Sequence, residues 1–105
     1  MSVARTNIIN FFSEEECDKY YALHKEFLKT LSDCGIKEAT YVRASPTSLL
    51  YFSIIDSEED AEKILKRANK WRLKYDFKVD VITFDGKVSY QYRRRQRFTK
   101  SYKKI

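Results

Sequence analysis

Basic residues crowd the last thirteen positions of the chain, and their type and spacing indicate phosphate binding. Residues 93–105 hold seven arginines and lysines and no acid, a net charge of +7, whereas residues 1–92 have a net charge of −1. If a strand runs through residues 93–97, alternate arginines project to one side about 6.7 Å apart, which is similar to the phosphate repeat of a nucleic-acid strand. Guanidinium groups bind phosphate and stack on bases. The pattern predicts a polyanion site at Arg93, Arg94, Arg95, Arg97, Lys100, Lys103 and Lys104.

Side chains suited to catalysis are scarce, because the chain has one histidine and two cysteines. His24 and Cys17 share one face of a predicted helix, but seven residues along a helix correspond to about 10 Å. That separation is too long for a nucleophile and its base. We therefore predict no catalytic residue, no metal site and no cofactor, and a protein that is not an enzyme.

The first elements are a strand over residues 6–12 and a helix that begins at Ser13. The segment Ser13-Glu14-Glu15-Glu16 has the form of a capping box, in which a serine hydroxyl accepts the amide hydrogen bond of the third following residue. Apolar residues then recur at three- and four-residue steps as far as Leu31. Gly35 stands where a left-handed helix cap is expected.

The following elements are two strands, a second helix and a further pair of strands. Residues 38–43 and 48–55 are rich in β-forming residues and flank a Pro-containing turn, which predicts a hairpin. A second capping pattern at Ser57 predicts a helix that ends within residues 73–77. Residues 78–84 and the segment from Lys87 onward flank Asp85-Gly86, which is typical of a type I′ turn. The sequence therefore predicts one extra strand after this turn.

This order of elements predicts an α+β fold of the ferredoxin-like class, a two-layer sandwich with both helices on one face of an antiparallel sheet. The expected boundaries are a single domain over residues 1–98 and a basic flexible tail over residues 99–105. The other face of the sheet is left open, so it must be polar or bind something.

Residues 48–65 (SLLYFSIIDSEEDAEKIL) resemble the third strand and second helix of RNA-recognition motifs. The resemblance implies that outward aromatic residues of this strand stack on bases. Tyr51 falls on one of the two stacking positions, whereas Leu49 occupies the other. Thr47 and Ser48 replace the basic residue and the glycine of the family pattern.

These features together predict a small non-enzymatic protein that binds nucleic acid, preferably RNA or a single strand. The basic C-terminal strand and tail would hold phosphates, and the open sheet face would contact bases through exposed residues; the additional site residues are Lys87, Tyr51 and Phe84. The sequence leaves other interpretations open. One is a small interaction or inhibitor protein, of viral or mobile-element origin, that binds a host protein; another is a homodimer formed through the open sheet face.

Two weaker alternatives complete the sequence interpretation. The basic tail could be an inert, solubilising segment, and a nuclease would need a carboxylate near the basic strip, for which Asp80 and Asp85 are the nearby residues. No secretion signal or membrane span is recognisable in the sequence. We therefore expect a cytoplasmic protein that does not bind membranes.

Overall fold

A computed structural model describes residues 1–94 of the 105-residue chain. The elements in chain order are β1 (Val3–Phe11), α1 (Glu14–Lys29), β2 (Ile36–Ser45), β3 (Ser48–Ile55), α2 (Glu58–Tyr75) and β4 (Val79–Lys87). The strands form one antiparallel sheet in the order β2-β3-β1-β4. The predicted βαββαβ sandwich is confirmed. Neither helix in this part of the chain is long and apolar enough to cross a membrane.

Both helices begin at the predicted serines. The Ser13 hydroxyl accepts a hydrogen bond from the backbone N–H of Glu16 at 3.1 Å, and the Ser57 hydroxyl accepts one from Asp60 at 3.1 Å. Three acidic residues follow each serine and stabilise the positive end of the helix. The end of α1 differs from the prediction, because the helix ends at Lys29, and Gly35 takes its positive φ of 69° just before β2.

The predicted turn at Asp85-Gly86 is wrong. Strand β4 continues through both residues, which pair with Arg5 and Ala4 of β1, and Gly86 does not have the positive φ that a type I′ turn requires. The physical reason is that β1 begins at Val3, three residues earlier than predicted, and offers β4 a longer pairing edge. Within residues 88–94 no extra strand forms, and residues 95–105 lie outside the described part of the chain.

The core lies between the sheet and the two helices and consists of two apolar clusters. One joins the start of β1 and the end of β3 to both helices through Val3, Ile55, Phe27 and Ile64. The other lies at the opposite end of the same strands; it includes Ile9, Phe11, Leu49, Cys17 and Tyr20. Trp71 of α2 packs against both clusters.

Within residues 1–94, no helix covers the opposite face of the sheet, and two cross-strand rows contain most of the apolar residues of this face. The strand pairing aligns the rows Val42–Leu50–Ile8–Ile82 and Thr40–Phe52–Thr6–Phe84. Ile82 and Phe84 are 52% and 61% exposed, and the exposure of Phe84 agrees with the sequence prediction. We call these two rows the open apolar face.

Gly35 and Gly86 allow a direct test of this backbone. A Cβ at Gly35 would lie 2.5 Å from Oδ2 of Asp60 and would sit on a left-handed backbone, whereas a Cβ at Gly86 meets nothing within 4 Å. We expect Gly35→Ala to lower the free energy of unfolding in urea by about 1–2 kcal/mol. Gly86→Ala should change it by less than about 0.5 kcal/mol. A large loss for Gly86→Ala would instead support the turn.

Candidate functional site

Two adjacent rows, polar except for Ala39, cross the helix-facing side of the sheet. Strand pairing aligns Ala39–Ser53–Arg5–Asp85 in one row and Tyr41–Tyr51–Asn7–Thr83 in the next. They separate the two apolar clusters of the core. Burying a polar side chain costs free energy unless the side chain finds a hydrogen-bond partner. Two such rows in one protein interior therefore indicate a candidate functional site.

Arg5 connects three elements from the middle of this site. Its Nε and Nη2 donate to the two carboxylate oxygens of Asp85 on β4 at 2.8 and 3.2 Å. Its Nη1 donates to the backbone carbonyl oxygen of Ala61 on α2 at 3.2 Å. The Arg5 side chain is 10% exposed and that of Asp85 47% exposed, so the pair lies where the interior meets solvent.

Asn7 is the next inward-facing residue of β1, and it is 6% exposed. Its Oδ1 accepts a hydrogen bond from the Thr83 hydroxyl at 2.9 Å. Within residues 1–94 its amide nitrogen has no hydrogen-bond partner, so two N–H donors remain available to a ligand. Burial raises the pKa of the adjacent Tyr51. The hydrogen bond with the Ser53 hydroxyl and the Arg5 charge each lower this pKa, but burial has the larger effect.

His24 of α1 faces these rows from the helix layer. Its Nδ1 is 2.6 Å from the Tyr41 hydroxyl oxygen, and its ring packs among the aromatic side chains of Tyr20, Phe27, Tyr51 and Trp71. Burial, together with the nearby Arg72 charge, lowers the pKa of His24 to about 4. Burial also raises the pKa of Tyr41, so that this neutral pair can exchange donor and acceptor roles.

A cavity of about 230 Å³ lies between these polar rows and the helices. Arg5, Asn7, Tyr51, Ser53, Thr83 and Asp85 line it from the sheet, and His24 and Arg72 line it from the helices. The apolar lining comes from Phe27, Leu31, Ile64, Leu65 and Ala68. An apolar cavity with a few convergent polar groups is the usual form of a small-molecule site.

The Arg5–Asp85 pair also borders a second cleft, of about 310 Å³, next to the start of α2. Lys87, a predicted site residue, lines this cleft together with Glu58 and Glu62. The ion pair therefore separates the interior cavity from an outer cleft. In the described part of the chain, no three His, Cys, Asp or Glu side chains are grouped as a metal site requires.

The predicted nucleic-acid site residues do not form one surface within residues 1–94. Tyr51 was predicted to face outward, but it faces the helices and is buried, because it shares the alternation of Leu49 and Ile55. Phe84 is exposed on the open apolar face. Arg93 pairs with Glu38 at 3.2 Å, and Arg94 is exposed outside any strand. The other predicted residues lie outside the described part of the chain: Arg95, Arg97, Lys100, Lys103 and Lys104.

Most of the residues that line the cavity were not predicted from the sequence. Arg5 fell before the predicted start of the first strand, and His24, once a pairing with Cys17 was excluded, was interpreted as a satisfied residue at the edge of the core. One signal could have found part of the site: Arg5 and Asn7 share the alternation of Ile9 and Phe11, so that two polar residues occupy the inward phase of an apolar strand. The contact between Arg5 and Asp85 joins residues 80 positions apart and leaves no local signal.

No family model matches this chain, and no curated protein matches it. Its structure is similar to that of a dimeric ferredoxin-like protein from an uncultured marine organism, with a TM-score of 0.72 and 18% identity over 90% of this chain and 100% of the other. A second dimeric ferredoxin-like protein from an uncultured marine organism gives a TM-score of 0.68 and 8% identity over 87% and 98% of the two chains. A variant of SnoaB, a cofactor-independent oxygenase from Streptomyces nogalater, gives 0.62 and 12% identity over 86% and 95%.

These comparisons establish the ferredoxin-like fold and correct the predicted function. The prediction of a nucleic-acid-binding protein is wrong, because the similar structures are dimeric ferredoxin-like proteins and cofactor-independent oxygenases. None of them supports an RNA-recognition motif, a host-protein inhibitor or a viral origin. The prediction relied mainly on the positive charge of residues 93–105. In the described part of the chain, the polar side chains that the fold brings together line an interior cavity instead. Since SnoaB is an enzyme, this fold is compatible with catalysis.

The buried His24 predicts a measurable dependence of stability on pH. Its pKa is about 4 in the folded chain and 6.5 ordinarily, so the neutral form stabilises the fold fully above pH 6.5. That contribution is lost as the pH falls from 6.5 towards 4, by about 3 kcal/mol in total. We expect His24→Gln, which has no titrating group, to lose correspondingly less free energy of unfolding between pH 7 and pH 4. Equal losses in both proteins, measured by urea unfolding, would contradict a neutral buried histidine.

Proposed function

We propose that this protein is an enzyme of the cofactor-independent oxygenase type, which oxidises a small conjugated substrate with dioxygen in the interior cavity. The observation that carries the proposal is the pair of polar rows that converge with His24 and Arg72 on a cavity with apolar walls. The likeness to SnoaB supports the choice of reaction type. A cavity of about 230 Å³ suits a molecule of two fused rings.

The substrate must supply the electrons in a reaction of this type, because dioxygen accepts them readily only from an electron-rich anion. His24 is the proposed base. When its Nδ1 donates to the Tyr41 oxygen, Nε2 presents a lone pair that can take a proton from the substrate. The Asn7 amide and the Arg5 guanidinium are N–H donors that stabilise the resulting oxyanion.

The atoms and electrons balance for a substrate with an acidic methylene group. Loss of one proton to His24 gives a delocalised carbanion, which transfers an electron to dioxygen, and the two radicals combine to form a carbon–oxygen bond. The resulting peroxide anion takes the proton back from His24 and becomes a hydroperoxide. The hydroperoxide then loses water and leaves a carbonyl group. The carbon gives up two hydrogens and keeps one oxygen atom, and the second oxygen atom leaves as water with those two hydrogens.

Dioxygen uptake tests this proposal. We expect the protein to accelerate oxygen consumption above the uncatalysed rate with two-ring compounds that have an acidic methylene group, beginning with 2-indanone. His24→Gln should slow this reaction at least tenfold, since a positioned base usually contributes about a hundredfold or more. Asn7→Ala should slow it also, because it removes donors that face the oxyanion.

Asn10 provides a matched control on the same strand. It is exposed on the opposite side of the sheet, where it accepts a hydrogen bond from the Ser48 hydroxyl. Asn10→Ala should keep the native rate. No acceleration with any such compound, or equal rates for the Asn7 and Asn10 variants, would contradict a catalytic cavity on the helix side of the sheet.

We also propose that the protein forms a homodimer through the open apolar face. The supporting observations are the aligned aliphatic row, the exposed Phe84 and the two dimeric ferredoxin-like proteins of similar structure. A row that crosses the whole sheet can meet a second copy of itself across a two-fold axis. Monomeric proteins rarely leave such a continuous apolar surface in water. The cavity lies on the other side of the sheet.

Sedimentation equilibrium can test the dimer with two matched variants. Phe84→Glu places a charge in the proposed interface and should shift the native dimer towards monomer by at least tenfold in dissociation constant. Phe12→Glu makes the same chemical change at a residue that is 78% exposed but lies beyond the end of β1. It should leave the dimer intact. A native monomer at micromolar concentration, or equal effects of the two variants, would overturn the proposal.

A further inference from the structure

The side chains that line the cavity carry more positive than negative charges. Two guanidinium groups, those of Arg5 and Arg72, line it together with one carboxylate, that of Asp85. His24 adds no charge at neutral pH, because its pKa is about 4. Both oxygens of Asp85 already accept hydrogen bonds from Arg5. The remaining positive charge is that of Arg72.

Arg72 occupies an unusual position on its helix. Ala61, Ile64, Ala68 and Arg72 follow one another at steps of three and four residues, so Arg72 continues the inward stripe of α2 at a place where an apolar residue is usual. Arg72 is half-buried. Its positive charge acts to lower the pKa of both Tyr20 and His24. A cation at this position suits a ligand better than it suits the core.

Arg72 also lacks the carboxylate partner that four of the other five described arginines have; the fifth, Arg94, is exposed outside any strand. Arg5, Arg43, Arg67 and Arg93 each form an ion pair with a carboxylate. Within residues 1–94, no carboxylate lies within 4 Å of the Arg72 guanidinium, whose side-chain hydrogen bonds go to Oδ1 of Asn69 at 3.2 Å and to the Tyr20 side chain. A half-buried guanidinium without a carboxylate retains donors for an incoming anion.

The Asn7 amide is a second, independent sign of a ligand with acceptor atoms. It is buried on the sheet side of the same cavity, and its N–H groups are unpaired within residues 1–94. The Asn7 amide and the Arg72 guanidinium therefore place hydrogen-bond donors on both walls of the cavity. Donors on the sheet side and the helix side of a cavity that Phe27, Leu31 and Ile64 also line match a molecule with an apolar body and anionic oxygens.

We propose that the ligand of this cavity is a small aromatic carboxylate, whose carboxylate group is bound by Arg72 and whose rings contact the apolar wall. The planar guanidinium fork matches a carboxylate with two parallel hydrogen bonds. The inference deepens the proposed oxygenase function by naming its substrate class, and it rests on that function in taking the cavity as the substrate site. It makes Arg72 the residue that determines specificity.

A pair of isosteric probes, 2-naphthoate and the neutral 2-naphthamide, tests the inference by isothermal titration calorimetry. We expect the native protein to bind 2-naphthoate at least tenfold more tightly than 2-naphthamide. Arg72→Gln should reduce this preference to less than threefold and leave the affinity for 2-naphthamide nearly unchanged. Arg72→Lys, which keeps the charge but loses the planar fork, should retain an intermediate preference.

Lys66→Gln is the control, because it removes the same charge from the exposed side of the same helix. It should keep the native preference. Equal binding of the two probes by the native protein, or no binding of 2-naphthoate at millimolar concentration, would overturn the inference, and neither result depends on a variant that must fold. Equal losses in the Lys66 and Arg72 variants would also overturn it.

Binding and oxygen uptake are separate measurements, so the two proposals can fail separately. A native protein that prefers 2-naphthoate but consumes no dioxygen with any methylene compound contradicts the oxygenase function and supports the anion site. A protein that oxidises neutral compounds and binds both naphthalene probes equally contradicts the anion site alone.

Discussion

The buried guanidinium of Arg5 is the interaction on which the arrangement of the site depends. A charge at this depth is tolerated only when its hydrogen bonds are satisfied, because desolvation otherwise costs several kcal/mol. Asp85 and the Ala61 carbonyl oxygen supply those bonds from β4 and α2, so one side chain of β1 fixes both neighbours. The same ion pair lies beside the cavity, which Arg5 and Asp85 both line.

Much of the fold was predictable because its signals are local. The two serine caps, the β2–β3 hairpin and the order of elements depend on residues within a few positions of one another, and the structure confirms them. The end of the sheet was not predictable in the same way. Asp85-Gly86 has the local chemistry of a turn, but pairing with Arg5 and Ala4 prevails, and that pairing depends on a strand about 80 residues earlier.

The site was less predictable than the fold, for physical reasons that particular residues illustrate. The distribution of charge along the sequence identified the C-terminal basic run. Charge does not predict which residues the fold brings together in one site. Tyr51 carried the resemblance to RNA-recognition motifs, but its role there depends on which face it occupies, and a shift of one residue reverses the face. Arg72 looks like an ordinary exposed cation until α2 is placed against the sheet, where its stripe points inward.

The two faces of the sheet are linked by the alternation of β1. Arg5 and Asn7 point towards the helices, and Thr6 and Ile8 point towards the open apolar face, so a single strand supplies both the polar rows and the aliphatic row. A slip of one residue would place Ile8 in the cavity and expose the Arg5 charge on the apolar side. Because both faces would fail together, the pairing of Arg5 with Asp85 fixes the register for the proposed catalytic face and for the proposed dimer face at once.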